Sequence, residues 1–309
     1  MAILTVTLNA ALDITYRVPV LTPGTSQRVS DVRERPGGKG VNVARVLAAL
    51  GHETVVTGFA GGPAGTVLRE LLAPLAPYDA LVPIAGNTRR TVAVVDTNGG
   101  DTTQLNEPGP VVSPGEWTRF LDTYENLLKD ADAVALCGSL PPGIHVGAYA
   151  ELIRRAHARG VPAVLDTDGE PLRRGIAARP DLIKPNADEL ARLTGAREPV
   201  RAVLGARRRG ARAVAASFGA DGLLAATADG VWRAAPPAPV RGNPTGAGDS
   251  AVAALLVGLI DGLPWPERLI RAVALSAATV AAPAAGEFDA AAYERLLSDI
   301  TVVEHTEIN

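Results

Sequence analysis

Ala133-Val-Ala-Leu-Cys137, Ala163-Val-Leu-Asp166, Leu182-Ile183 and Ala213-Val-Ala-Ala-Ser217 are four short apolar runs, each of which reads as a strand. Segments 146–159, 187–194 and 200–208 between them carry apolar residues at helical spacing. Strands that alternate with helices predict a parallel, doubly wound α/β sheet. In such a sheet the ligand sits beyond the carboxyl ends of the strands. Asn9, Gly138, Asp166, Lys184 and Ser217 all fall at or just past expected strand ends, so they are expected to converge on one cleft.

The same reading extends in both directions. Residues 3–8 and 54–59 read as strands, and 41–50, 65–75 and 114–129 as helices, with Gly51 stopping the first. Residues 16–32 are apolar pieces broken by Pro19, Pro23 and Gly24, which predicts short strands and turns. A turn is expected over 37–40. Segments 91–96 and 102–105 flank Asn98-Gly-Gly100, a hairpin signal. Residues 223–226 read as a strand, 251–260 as an apolar helix, and 272–286 as a buried helix that ends in a loop near Pro283. The expected architecture is one α/β domain over 1–309. A small β-sheet element is inserted from about 9–36 and 87–108.

Composition removes several function classes. The chain has 309 residues, of which 47% are hydrophobic and 20% charged, so it can bury a core and is not a disordered or low-complexity chain. The net charge is −3 with no basic block, which argues against a nucleic-acid or anionic-membrane partner. The single cysteine, Cys137, allows no intramolecular disulfide and suits a reducing cytoplasm. The N-terminus does not read as a signal peptide, and no apolar run approaches the ~20 residues of a membrane span. The four histidines show no metal spacing, and neither a G-x-S-x-G elbow nor a Walker P-loop occurs. Only three lysines occur, Lys39, Lys129 and Lys184, in a chain that otherwise uses arginine. Two of them lie in motifs, where a compact point charge differs from a planar fork.

The strongest local signal is Asn243-Pro-Thr-Gly-Ala-Gly-Asp-Ser250, a glycine-rich turn leading into an apolar helix. Backbone N–H groups at such a helix start, at Ala247, Gly248 and Asp249, suit a phosphoryl group. Asp249 reads either as a helix cap, for which Asp is favoured, or as a general base. The segment also fits G-x-G-x-x-G/A, but no clean strand precedes it and no acid-ended strand follows about 20 residues on. In Pro36-Gly-Gly-Lys-Gly-Val-Asn42, glycines allow close backbone approach, and Lys39 and Asn42 suit phosphate or sugar hydroxyl oxygens. Asp13 suits two sugar hydroxyls, and Arg28, Arg89 and Arg90 a phosphate dianion. Asn186 and Glu189 open a helix, where Glu189 either complements the helix dipole or orients Mg²⁺ through water.

Taken together these segments resemble the PfkB (ribokinase-like) family of carbohydrate kinases. The resemblance runs in order through Leu8-Asn-Ala-Ala-Leu-Asp13, Pro36-Gly-Gly-Lys-Gly-Val-Asn-Val-Ala-Arg45, Thr88-Arg89 and Asn106-Glu-Pro-Gly-Pro110. It continues through Gly138-Ser-Leu-Pro-Pro-Gly143, Lys184-Pro-Asn-Ala-Asp-Glu189, Ser217-Phe-Gly-Ala-Asp-Gly222 and Thr245-Gly-Ala-Gly-Asp-Ser250. It implies a ribokinase-like fold with a small β-sheet lid, which in this family often also makes a homodimer contact. It further implies ATP- and Mg²⁺-dependent phosphorylation of a ketohexose phosphate. Fructose 1-phosphate is the first expectation, then tagatose 6-phosphate or fructose 6-phosphate. A family kinase for a free sugar or nucleoside, and a non-catalytic sugar-phosphate sensor, are the alternatives.

Residue by residue, the resemblance makes Asp249 the base and the backbone of Gly246, Ala247 and Gly248 an anion hole. Asp13, Gly38, Lys39 and Asn42 would hold the sugar, and Arg28, Arg89 and Ser139 the phosphate it already carries. Lys184, Asn186 and Glu189 would serve the nucleotide phosphates and Mg²⁺, with Glu189 acting on the metal through water. Ser217, Gly219, Ala220, Gly222 and Ser276 would line the nucleotide site. Two departures from the family pattern bear on the cleft: Thr91 stands where Asn is common, and Asp168 where Ser is.

Overall fold

The computed structural model describes residues 2–74, 78–282 and 286–305. The chain runs β1 (Ala2–Thr7), β2 (Ala11–Val18), β3 (Asp31–Gly37), α1 (Lys39–Ala49), β4 (Glu53–Ala60), α2 (Gly62–Leu72), β5 (Tyr78–Pro83), β6 (Arg89–Asp96) and β7 (Thr102–Asn106). It continues through α3 (Pro114–Leu127), β8 (Ala131–Cys137), α4 (Ala148–Ala158), β9 (Ala163–Asp166), α5 (Gly169–Ile176), β10 (Leu182–Ile183), α6 (Ala187–Thr194), α7 (Pro199–Arg208) and β11 (Val214–Ser217). It closes with β12 (Leu223–Ala226), β13 (Val231–Ala234), α8 (Ala247–Ile260), α9 (Trp265–Val280), α10 (Ala290–Asp299) and β14 (Val302–Glu304).

Among the described residues the large sheet has the order β14-β13-β12-β11-β10-β9-β8-β1-β4-β5. It is parallel from β5 to β11 and antiparallel beyond. Successive residues of its central strands face opposite layers, so both faces are buried. Val134 and Leu136 of β8 join one core with Phe120, Tyr149 and Ile153, while Ala133, Ala135 and Cys137 join the other. The second face is floored by small residues, which admits α8 against the sheet. This helix is apolar nearly all round, with Ala251 to Gly258 buried, as expected of a helix enclosed by sheet and neighbouring helices. Each of its buried leucines contributes about 1.5–3 kcal/mol by burial. The thiol of Cys137 lies in that core, where burial raises its pKa and leaves it inert.

A second, four-stranded sheet has the order β3-β2-β6-β7. Its strands come from the two expected insertions, and the hairpin about 97–101 joins β6 to β7. The Asp96 carboxylate holds that turn, accepting from the Gly99 and Asn98 amides and, across to the β2–β3 loop, from the Leu21 amide.

Several boundaries differ from expectation for local reasons. No turn separates β3 from α1, because the chain passes directly from strand to helix at Gly38 (φ 112°). The start of α8 falls at Ala247 rather than 251, since Gly246 in the left-handed region (φ 85°) supplies the N-cap. The expected helix over 272–286 is α9, Trp265–Val280; Pro-Trp-Pro starts it earlier. Pro283 and Leu75, at the ends of two expected helices, lie outside the described residues. β5, α5, α10, β13 and the edge strand β14 had no expected counterpart. No helix among the described residues is long and apolar enough to cross a membrane.

Candidate active site

Four charged side chains meet beyond the carboxyl ends of the parallel strands. Asp166 ends β9, Lys184 follows β10, Lys39 opens α1, and Asp249 is the third residue of α8. Lys39 Nζ donates to Asp166 Oδ1 at 3.2 Å, and Lys184 Nζ lies 3.8 Å from the same oxygen. Asp166 is 1% exposed, and its Oδ2 has no hydrogen-bond partner among the described residues. Gly138 and Asn9 flank this centre. The Gly138 amide donates to the Asp166 carbonyl, and Asn9 Nδ2 donates to Ser139 Oγ at 3.1 Å. Asn186 bridges to Ser217. The five strand-end residues therefore converge as the doubly wound order requires.

Asp249 does not cap its helix. Gly246 occupies the N-cap, and Asp249 Oδ2 instead accepts from Asn42 Nδ2 of α1 at 2.8 Å. Burial and the charge of Asp166 raise its pKa from 3.8 to about 6, against the pull of Asn42, Lys39 and Lys184. Burial lowers the Lys39 pKa, but Asp166, Glu189 and Asp249 more than offset it, and the net shift is upward. Lys39 is thus a fixed cation and Asp249 a carboxylate poised near neutrality.

The N-terminus of α8 points into the same space. Its first-turn N–H groups have no intrahelical acceptor. The Ala247 amide is the exception to the anion hole expected at Gly246, Ala247 and Gly248, since it closes a turn onto the Pro244 carbonyl at 3.2 Å. Such a hole would draw on the neighbouring amides, Asp249 included. A methyl at Gly248 would stand 3.3 Å from Lys184 Nζ, so the bare backbone leaves that ammonium close to the helix start.

On one side lies a cavity of about 150 Å³ under the small sheet, lined by Asp13, Asn42, Arg45, Thr91, Asn243 and Thr245 among others. Parallel pairing of β2 with β6 sets Asp13 beside Thr91, whose hydroxyl donates to the carboxylate. Thr91 therefore supplies a polar contact where the family pattern has Asn. Burial raises the Asp13 pKa to about 6, opposed by Arg89, Thr91 and Arg45. A methyl at Gly37 would overlap that carboxylate, and one at Gly38 would lie 2.6 Å from Thr7 Cγ2. Arg45 is 8% exposed and donates to the Pro36 carbonyl.

On the other side opens a cleft of about 940 Å³ lined by Asn186, Ser217, Gly219, Ala220, Gly222 and Ser276, with apolar walls from Leu223, Val240, Val273 and Val280. The volume suits a ligand of nucleotide size. At its edge Asn186 and Glu189 form a capping box: Asn186 Oδ1 accepts from the Glu189 amide and Glu189 Oε2 from the Asn186 amide, both at 2.9 Å. One Glu189 oxygen is left to face water. Among the described residues no three His, Cys, Asp or Glu side chains are grouped to hold a metal ion directly. The donor set therefore fits a Mg²⁺ carried largely by phosphate oxygens and water.

Of the three expected phosphate ligands, Arg28 stands apart from the site, whereas Arg89 is held near Asp13. Arg28 is exposed on the β2–β3 loop and does not line the cavity under the small sheet. Arg89 donates from Nε to the Asn9 carbonyl and from Nη1 to that of Glu107, which fixes its guanidinium near Asp13. Ser139, the third, accepts a hydrogen bond from Asn9 through its Oγ. The sequence assigns no chemical role to Asp166, Arg45 or Thr91. Asp166 carries a signal, being a carboxylate at a strand end, whereas the burial of Arg45 depends on packing that spacing does not show. Asp168, the other departure, is exposed at the start of α5 and makes no side-chain cap.

Residues 6–291 match the pfkB family of carbohydrate kinases, and the chain belongs to that family. It is 39% identical over 280 residues to a 1-phosphofructokinase of Rhodobacter capsulatus, covering 89% of each protein. Phosphofructokinase-2 of Escherichia coli, solved with fructose-6-phosphate, superposes with a TM-score of 0.86 at 28% identity over 96% of this chain and 98% of that one. Ribokinase of Arabidopsis thaliana, with a TM-score of 0.75 at 22% identity over 96% and 98%, shares the fold. The protein is thus a carbohydrate kinase with a ribokinase-like sheet.

Proposed function

We propose that this kinase transfers the terminal phosphoryl group of ATP to fructose 1-phosphate, giving fructose 1,6-bisphosphate. The observation that carries the reading is Asp249. It is a buried carboxylate with a pKa near 6, one oxygen held by Asn42, set between the Asp13 cavity and the helix start that faces the larger cleft. The relative of Rhodobacter capsulatus supports the choice of sugar phosphate.

Asp13 and Asn42 hold the sugar hydroxyls, and Arg89 with Ser139 faces its phosphate. Asp249 takes the proton from the attacking hydroxyl, a role worth about 10²–10⁴ in rate. Free amides at the start of α8, with Lys39 and Lys184, meet the charge that spreads over the transferred group. Ser217, Gly219, Ala220, Gly222 and Ser276 seat the nucleotide. Bound Mg²⁺ would neutralise phosphate charge, held through water by Glu189. The small sheet acts as a lid that keeps water from the phosphoryl group.

Incubation with ATP, Mg²⁺ and fructose 1-phosphate, followed by phosphorus NMR, tests the reading. A new phosphomonoester at the 6-position with matched ADP supports it. Phosphorylation only of fructose 6-phosphate, at its 1-hydroxyl, would move the assignment to the activity of the E. coli relative.

A further inference from the structure

We propose that the cavity between α6 and α7 is a second ligand site, one that takes a small, multiply phosphorylated anion. The cavity has a volume of about 570 Å³ and is lined by Arg197, Arg201, Arg208 and Arg209, with Glu198 as its one acid. Among the described residues none of these four guanidinium groups has a carboxylate within ion-pair distance. Elsewhere Arg155 binds two glutamates, and Arg212 and Arg69 each bind an aspartate. Glu198 keeps its negative charge, but both its oxygens are turned to the Val200 and Arg201 amides, where they cap α7, and neither pairs with a guanidinium of the cluster. Four cations and one anion thus line the hollow, which keeps a net positive charge.

The helix is shaped around that hollow. Arg201, Gly205 and Arg208 are spaced i, i+4 and i+7, so they fall on one stripe of α7. Gly205 weakens the helix interior relative to Ala, yet nothing steric demands it. A methyl there would make ordinary contact with Thr194 at 3.6 Å and lie 3.9 Å from Arg208 Nη2. What the missing side chain provides is open floor between two arginines. Guanidinium forks pair bidentately with phosphate oxygens. No aromatic ring lines the cavity, so recognition rests on phosphates and not on a base. The site is separate from the catalytic one. It lies at the C-terminal end of α6, a helix about 12 Å long whose other end carries Asn186 at the larger cleft.

Calorimetric titration of the whole protein with inorganic tripolyphosphate tests this. Three proteins are compared: wild type, Arg201→Ala/Arg208→Ala, and Gly205→Leu, which fills the floor and leaves every arginine in place. The expected result is a site in the wild type that weakens about 100-fold in the double variant, tenfold or more per charge-assisted contact. The same site is lost in Gly205→Leu, and kinase kcat and KM are unchanged in both variants. Competition with ATP and with a hexose bisphosphate then distinguishes a nucleotide from a sugar phosphate as the source of the phosphates. Identical isotherms for the three proteins would overturn the proposal, as would loss in the double variant with full retention in Gly205→Leu.

Discussion

Replacing Asp249 by Asn separates catalysis from stability. Asn keeps the shape and an oxygen for Asn42 Nδ2, but it can neither take a proton nor carry charge. Turnover should fall by about 10²–10⁴. Stability should move the other way. The folded-state pKa of about 6 lies above the ordinary 3.8, so Asp249 is ionised at pH 8 at a cost of about 3 kcal/mol. A group raised in this sense favours folding only while protonated. Its contribution is whole below 3.8 and is lost as pH rises through about 6. The amide of the Asp249→Asn variant resembles the protonated acid at every pH. Urea unfolding at pH 8 should therefore show the variant more stable, by up to about 3 kcal/mol, and the gap should close between about pH 6 and 4. A variant less stable than wild type at pH 8, or a gap that does not change with pH, would refute the electrostatic reading of the site. Near-normal turnover would refute the base.

Further expectations follow from the same geometry. The rate should fall on the acid side with an apparent pKa near 6, because Asp249 must be ionised to accept a proton; a flat profile from pH 5 to 8 would contradict this. Arg89→Ala should raise the KM for the sugar phosphate much more than that for ATP, in steady-state kinetics with each substrate varied. Equal rises would remove Arg89 from phosphate binding. Gly37→Ala sets a methyl onto the Asp13 carboxylate and should weaken sugar binding at least about tenfold, with the ATP KM little changed. Chelation of divalent cations should abolish turnover, and Mg²⁺ should restore it.

The alternation of strands and helices places the central parallel strands of the large sheet, but not β5, β13 or β14, and strand-end residues of a parallel sheet face one side whatever their distance in sequence. Asn9, Asp166, Lys184 and Ser217 could be brought together on that ground alone. The residues alone read the helix start at Gly246 as an anion-facing turn and leave Asp249 open between cap and base, and the family resemblance alone favours the base. Capping and base catalysis use the same residue type, and it takes the contact with Asn42, 207 positions away, and Gly246 at the N-cap to set the capping role aside. Arg45 carries no role in the sequence, and Thr91 stands out only as a departure from the family pattern, because their meaning lies in register and packing. Thr91 stands beside Asp13 only once β2 pairs with β6. Arg28 shows the converse: its residue type suggested a phosphate ligand, and a stretch of Pro, Gly, Thr and Ser gave no constraint on where the loop would carry it.

The most direct test of the central claim is ADP release with ATP and Mg²⁺ against fructose 1-phosphate, fructose 6-phosphate, tagatose 6-phosphate and the free sugars, with Asp249→Asn as control. The account predicts the highest kcat/KM on fructose 1-phosphate, little on the free sugars, and loss of turnover in the control. Preference for a free sugar, or no turnover on any phosphorylated ketohexose, would contradict it.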